Sequence, residues 1–99
     1  MEEHAAVLDV SRYRPADGKR EEMLTEMKKI AARATEADGC FGAQVCTSNS
    51  DKGMLIAVSR WRSRQALEAF SNEVQSITSQ KRLTDLLDGR AHHEHLTPV

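Results

Sequence analysis

Residues 54–70, MLIAVSRWRSRQALEAF, decide the fold, because the period of the hydrophobic pattern changes within them. Up to Trp61 the residues alternate between two faces that both carry apolar side chains, which is typical of a β-strand covered on both sides. Ser63 is a residue type that often caps the first turn of a helix, and the apolar residues after it recur at helical spacing. The stretch therefore predicts a strand from Met54 to Trp61 that is followed at once by a helix.

The rest of the chain also alternates between the strand period and the helix period. The predicted strands span residues 5–14, 40–48 and 90–96, and the predicted helices span residues 19–35 and 63–87. Asp17 is the predicted N-cap of the first helix, because its carboxylate can accept hydrogen bonds from the free amides of the first turn. In the second helix Ile77 continues the apolar stripe, and Ser71 and Asn72 are predicted to interrupt the helix.

The order β-α-β-β-α-β predicts one α+β domain of the ferredoxin-like type over residues 1–99, since 99 residues leave no room for a second core. The two helices are expected to cover one face of a four-stranded antiparallel sheet. The strands carry apolar residues on both faces, and the chain has nothing left to cover the second face. A second copy of the chain is the simplest cover, so we expect a homodimer.

Composition and charge exclude several classes of function. Hydrophobic residues make up 39% of the chain and charged residues 29%, which is ordinary for a globular protein. The net charge of −1 argues against a nucleic-acid partner, since such surfaces are built on clustered Lys and Arg. The RNA-recognition module has the same element order, but it stacks bases on aromatic residues of its first and third strands, where this chain offers only Tyr13 and Trp61.

The expected location follows from the lack of export and membrane signals. No apolar run approaches the roughly 20 residues that a membrane span needs, and residues 1–4 lack the order of a signal peptide. Cys40 and Cys46 lie six positions apart on one predicted strand, about 20 Å, which is too far for a disulfide. We therefore expect a cytoplasmic protein that does not contact a membrane.

Two motifs follow each other along the chain in a distinctive order. Gly39 and Cys40 open the second strand, and the pattern Trp-x-Ser-x-x-Ala-Leu-x-Ala then joins the third strand to the second helix. The residues of that pattern are Trp61, Ser63, Ala66, Leu67 and Ala69. Together with the turn RPADG at residues 14–18, this set resembles the antibiotic biosynthesis monooxygenase superfamily of dimeric α/β barrels. The resemblance implies the ferredoxin-like fold, the homodimer and an oxidoreductase of the cofactor-independent monooxygenase type.

The chain departs from the family pattern at positions that matter for chemistry. Many members carry Glu two residues before the Trp, where this chain has Ser59, and His shortly after the Ala-Leu pair, where it has Phe70. The haem-degrading branch takes its iron ligand from a His in the second helical region and uses an Asn on the first strand. Residues 62–88 contain no His and residues 5–14 contain no Asn, so we expect that the protein is not a haem oxygenase.

Aromatic residues predict a cavity between the sheet and the helices. Trp61, the only tryptophan, is either a core residue or a wall against which a flat ring stacks. The resemblance supports the wall, because family members line their cavity with this position. Phe41, Phe70 and Tyr13 are the other predicted contacts of a small aromatic substrate, and each is also a residue type common in cores.

The last strand carries three histidines, His92, His93 and His95. Alternation places His93 and His95 on one face and His92 on the other. Three interpretations are open. The histidines are solvated or interface residues, or they are ligands of a metal, which would need a third ligand. In the third interpretation one of them is a general base, a role for which the near-neutral pKa of His is suited. No zinc-binding spacing is present, so no metal is predicted, and His92 or His93 is the predicted catalytic base.

Asp9 is a carboxylate in the centre of an otherwise apolar strand. Such a group is either paired with an arginine, for which Arg12, Arg60 and Arg90 are available, or it is an acid or base with a raised pKa. We predict Asp9 as the reserve candidate for the catalytic base.

Two classes of function are compatible with the sequence. In the first, a cofactor-independent monooxygenase deprotonates a phenol or quinol, holds it flat and excludes water, since an electron-rich phenolate can itself reduce O₂. No GxGxxG or Walker motif is present, and no cofactor is predicted. In the second, the protein is a non-oxidative small-molecule binding protein or an isomerase-like enzyme, as Ser59 and Phe70 suggest.

Overall fold

A computed structural model of the chain describes residues 4–75 and 78–99. Its elements are β1 (Val7–Tyr13), α1 (Arg20–Thr35), β2 (Cys40–Thr47), β3 (Leu55–Trp61), α2 (Arg64–Val74), α3 (Thr78–Leu86) and β4 (His92–Leu96). The strands form one antiparallel sheet in the order β2-β3-β1-β4. This architecture confirms the predicted four-stranded, ferredoxin-like α+β fold. No helix in the described part of the chain has the length and apolar character that a membrane span needs.

The two predicted helix caps have different outcomes. Ser63 is the N-cap of α2, and its Oγ accepts a hydrogen bond from the backbone N–H of Ala66 at 3.1 Å. The prediction for Asp17 was wrong, because the N-cap of α1 is Lys19 and no side chain caps that helix. The Lys19 N–H donates to the Ala16 carbonyl at 2.9 Å, so the chain is still turning at Asp17 and the helix begins three residues later.

The second helical segment is divided, although not where the sequence predicted. Ser71 and Asn72 lie inside α2, and a separate helix, α3, begins at Thr78. Ile77, which the pattern placed on the apolar stripe, lies outside the described residues.

The core consists of two clusters on the helix-covered face of the sheet. The first cluster contains Tyr13, Met23, Met27, Leu55, Leu83 and Leu86. The second cluster contains Val7, Ala34, Trp61 and Leu67. The strand residues of the first cluster lie at the end of β1 and the start of β3, and those of the second lie at the start of β1 and the end of β3. The middle of both strands therefore lies between the clusters, and the side chains there are small or polar.

The opposite face of the sheet carries the alternate residues of each strand. On β1 and β3 these include Leu8, Val10, Ile56 and Val58. All strand residues of the two core clusters belong to the other face, which is the one that the helices cover. Val10 is buried in the single chain and the other three are partly exposed, and together they form a second apolar surface without a helix above it.

Candidate functional site

A cavity of about 260 Å³ lies between the sheet and the helices, at the middle of the strands. Small side chains leave this space open, namely Ala31 and Ala34 of α1, Ala43 of β2, and Ala57 and Ser59 of β3. Larger apolar side chains close it, namely Met27, Ile30, Phe70, Val74 and Leu83. The result is a mostly apolar space, as is usual for sites that bind small molecules.

One wall of this cavity is polar and is built from β1 and β4. Asp9 pairs with His95, and Ser11 pairs with His93, in the register of the two antiparallel strands. The Ser11 Oγ lies 2.8 Å from His93 Nδ1, and the Asp9 Oδ1 lies 3.3 Å from His95 Nε2. We call these four residues the polar wall. It consists of two cross-strand pairs that line an otherwise apolar space.

The carboxylate of Asp9 is destabilised by its surroundings. Burial raises the pKa of Asp9 above its ordinary value of 3.8, and the positive charges of protonated His95 and His93 act in the opposite direction to a smaller extent. A carboxyl group with a raised pKa beside two imidazoles is an arrangement that can exchange protons with a bound molecule.

None of the three candidate arginines pairs with Asp9, and the alternative, a carboxyl group with a raised pKa, agrees with the structure. Arg12 and Arg60 lie on the opposite face of the sheet, because Arg12 is three residues from Asp9 and pairs with Ile56, and Arg60 pairs with Leu8. Arg90 is an exposed residue that precedes β4. The partner is instead His95, which the strand register brings opposite Asp9.

Tyr13 closes the polar wall at the end of β1. Its ring makes an edge contact with His93, with a centroid distance of 5.9 Å and an interplanar angle of 80°. Burial raises the pKa of Tyr13 above its ordinary value of 10.0, and the nearby Ser11 and Gln80 act in the opposite direction. Tyr13 and Phe70 both line the cavity, as a role in substrate binding requires.

Trp61, Phe41 and His92 do not line this cavity. Trp61 is fully buried in the second core cluster, where its Nε1–H donates to Ser59 Oγ at 2.8 Å and its ring lies 5.4 Å from that of Phe70. Phe41 lies at an irregularity of β2 between Cys40 and Gly42. His92 pairs with Arg12 on the opposite face of the sheet, one position away from the cavity-facing His93.

Sequence reasoning missed the roles of Ser11 and His95. Alternation did place Ser11 on the face of Asp9 and His95 on the face of His93. The pairing of β1 with β4 joins residues more than 80 positions apart, however, and no local pattern encodes that register. In the part of the chain that the structure describes, no group of three His, Cys, Asp or Glu side chains could hold a metal ion.

Comparison with known proteins identifies a family and a set of structural relatives. The antibiotic biosynthesis monooxygenase family matches residues 7–82. This range ends before β4, so His93 and His95 lie outside the match. No curated protein sequence matches the chain significantly.

Three solved structures illustrate the structural likeness. Rv0793 from Mycobacterium tuberculosis is 22% identical, with a TM-score of 0.84 over 94% of both chains. PA3566 from Pseudomonas aeruginosa is 17% identical, with a TM-score of 0.77 over 100% of this chain and 99% of the other. A mutant of SnoaB, a cofactor-independent oxygenase from Streptomyces nogalater, is 16% identical, with a TM-score of 0.80 over 93% of this chain and 91% of the other. At these identities the likeness establishes a shared fold.

Proposed function

The chain belongs to the antibiotic biosynthesis monooxygenase family, and on that premise we propose that it is a cofactor-independent monooxygenase of a small aromatic phenol or quinol. The observation that carries the proposal is the polar wall of Asp9, Ser11, His93 and His95 on one side of an apolar cavity. SnoaB, which is described as a cofactor-independent oxygenase, has the same fold and supports the reaction class.

The proposed reaction needs little from the protein. The substrate hydroxyl loses its proton to a base, and the phenolate then supplies the electrons that reduce O₂. One oxygen atom enters the ring, and the other leaves as water with two hydrogens from the substrate, so that a phenol and O₂ give a quinone and water. The protein holds the ring and accepts the proton.

His93 is the proposed base, because one of its ring nitrogens is left for a substrate. Its Nδ1 lies against Ser11, and no described residue forms a hydrogen bond with its Nε2. Both ring nitrogens of His95 have neighbours, since Nε2 lies 3.3 Å from Asp9 and Nδ1 lies 3.5 Å from Nη1 of Arg64. The carboxylate of Asp9 would stabilise the imidazolium that forms when His93 accepts a proton.

The size and lining of the cavity favour a substrate with few rings. Its volume of about 260 Å³ lies just below the range of roughly 300–1,000 Å³ that is usual for drug-sized ligands. Phe70 and Tyr13 provide aromatic surfaces for a flat ring, and Met27 and Leu83 provide apolar surfaces. The hydroxyl of such a ring would point to the polar wall.

We also propose that the protein is a cytoplasmic homodimer formed through the uncovered face of the sheet. Leu8, Val10, Ile56 and Val58 give this face an apolar centre. A second copy that stacks on this face would cover these side chains.

A non-oxidative reaction is the alternative function. Ser59 occupies a position that is often Glu in related proteins, and its hydroxyl is held by Trp61 Nε1 at 2.8 Å. The pair of Asp9 and His93 could nevertheless move a proton from one atom of a bound substrate to another without O₂. An isomerase-like enzyme would need only these groups.

Oxygen uptake with anthrone-like and quinol substrates tests the proposal, with a metal chelator present and no flavin added. We expect uptake by the native protein and a loss of about 100-fold in kcat for His93→Ala, the usual effect of removing a general base. His92→Ala is the matched control, because His92 is the adjacent residue on the opposite face, and it should retain more than half of the activity. Saturable binding of these compounds without oxygen consumption would reject the monooxygenase and favour the alternative.

A further inference from the structure

Ser11 is a buried residue of the polar wall. In the proposed reaction its side chain does not need to contact the substrate. It is only 5% exposed and lies on β1 directly opposite His93. Its Oγ is 2.8 Å from His93 Nδ1, and no described residue forms a hydrogen bond with Nε2 on the other side of that ring. Ser11 is therefore the side chain that fixes the orientation of the His93 ring.

The direction of the hydrogen bond between Ser11 and His93 determines which nitrogen of His93 carries the proton. If Ser11 donates to Nδ1, the proton of the neutral ring is on Nε2. If Nδ1–H donates to Ser11 Oγ, Nε2 carries no proton and can act as a base. A base at Nε2 therefore requires that Ser11 is the acceptor.

We propose that Ser11 is a positioning residue that holds His93 in the Nδ1–H tautomer and so presents Nε2 as the base. The inference rests on the proposed function, because only a proton acceptor needs this tautomer. A hydrogen bond from the second ring nitrogen is a common way to fix both the tautomer and the orientation of a functional histidine.

Few titratable groups lie beside His93. The titratable groups beside it are Asp9 and Tyr13 of β1 and His95 of its own strand. The cavity-lining residues that the structure describes on α1, α2 and α3 are uncharged. Arg64 at the start of α2 contacts His95 rather than His93. Replacement of Ser11 therefore changes the direct partner of His93 and leaves the nearby charges in place.

Nitrogen-15 NMR of the histidine rings in the ligand-free protein tests the inference. We expect the chemical shifts of native His93 to be those of the Nδ1–H tautomer, and we expect Ser11→Ala to move them toward the Nε2–H tautomer. Ser11→Thr keeps the hydroxyl and should restore the native chemical shifts.

Ser59→Ala is the control for this measurement, since it removes the other buried serine of the same sheet face, which hydrogen-bonds Trp61. An Nε2–H tautomer in the native protein, or the same shifts in Ser11→Ala and Ser59→Ala, would overturn the inference. The NMR measurement needs no substrate. If the oxygen-uptake assay fails, the proposed function is rejected, and the tautomer of His93 can still be determined. In an active enzyme, Ser11→Ala should lower kcat at least tenfold with little change in KM.

Discussion

The carboxylate of Asp9 and the imidazole of His95 meet across two neighbouring strands, with 3.3 Å between Oδ1 and Nε2. The pair is partly buried, and the loss of water around Asp9 outweighs the attraction of the nearby histidines, so the pKa of Asp9 is raised. When folding raises the pKa of a carboxyl group, the charged form of that group destabilises the folded state. The site therefore keeps this carboxyl group at the expense of stability, which is common for groups that act in chemistry.

Asp9→Asn should stabilise the protein at neutral pH. With a raised folded-state pKa, the contribution of Asp9 to stability is greatest below the unfolded pKa, near 3.8, and is lost as the pH rises through the folded value. Asparagine does not titrate, so the advantage of the variant should be absent near pH 3 and constant above the folded pKa. Urea denaturation from pH 3 to 8 measures it.

Asp17→Asn is the control for that series, because it removes a negative charge from an exposed turn. A variant at Asp9 that is less stable than the native protein at pH 7 would mean that the contact with His95 outweighs the cost of burial.

Gly39 is predicted to tolerate no side chain. Its φ is +86°, and a Cβ atom built on it would lie 2.6 Å from the Cβ of Ala66 at the start of α2. Gly18 has a similar φ of +77° but has nothing within 4 Å of such an atom. We expect Gly18→Ala to cost about 1 kcal/mol of unfolding free energy from the backbone alone, and Gly39→Ala to cost about 3 kcal/mol or more because the clash is added. Equal losses in urea denaturation would show that the helix moves away freely.

The cavity can be filled from α1 without disturbing the core. Ala31 lines the cavity, and the next residue, Ala32, is exposed on the same helix. Ala31→Leu should weaken the binding of a phenolic ligand at least tenfold, because the added side chain occupies part of about 260 Å³. Ala32→Leu adds the same atoms outside the cavity and should leave the affinity within twofold, as measured by calorimetry. Equal affinities would place the ligand elsewhere.

The proposed dimer predicts a mass twice that of the 11.1 kDa chain in light scattering after gel filtration at micromolar concentration. Ile56→Asp places a charge on the uncovered face of the sheet and should give a folded monomer, since an unpaired charge in an apolar interface is costly. Lys52→Asp, in the hairpin between β2 and β3, changes the charge by a larger amount and should remain dimeric. A native protein of monomer mass would contradict the dimer.

Periodicity was sufficient for the fold but not for the site. The switch from strand to helix after Trp61 located β3 and α2, and the cap at Ser63 was correct, because both depend on residues close together in the sequence. Asp17 was misassigned because Asp-Gly suits a turn as well as a cap. Trp61 faces the helices as alternation requires, but only the packing of Phe70 over it decides that it is core. The partner of Asp9 depends on the order of strands in the sheet, and that order is a property of the whole chain.

The separation of β4 from the core has an evolutionary consequence. All five of its residues are exposed, none belongs to either core cluster, and the strand lies beyond the family match. Two of the four residues of the polar wall, His93 and His95, therefore lie on a strand that contributes no buried side chain to the core. Its histidines can be exchanged for other residues at little cost in stability, so new chemistry can be sampled at this edge while the remainder of the domain stays unchanged.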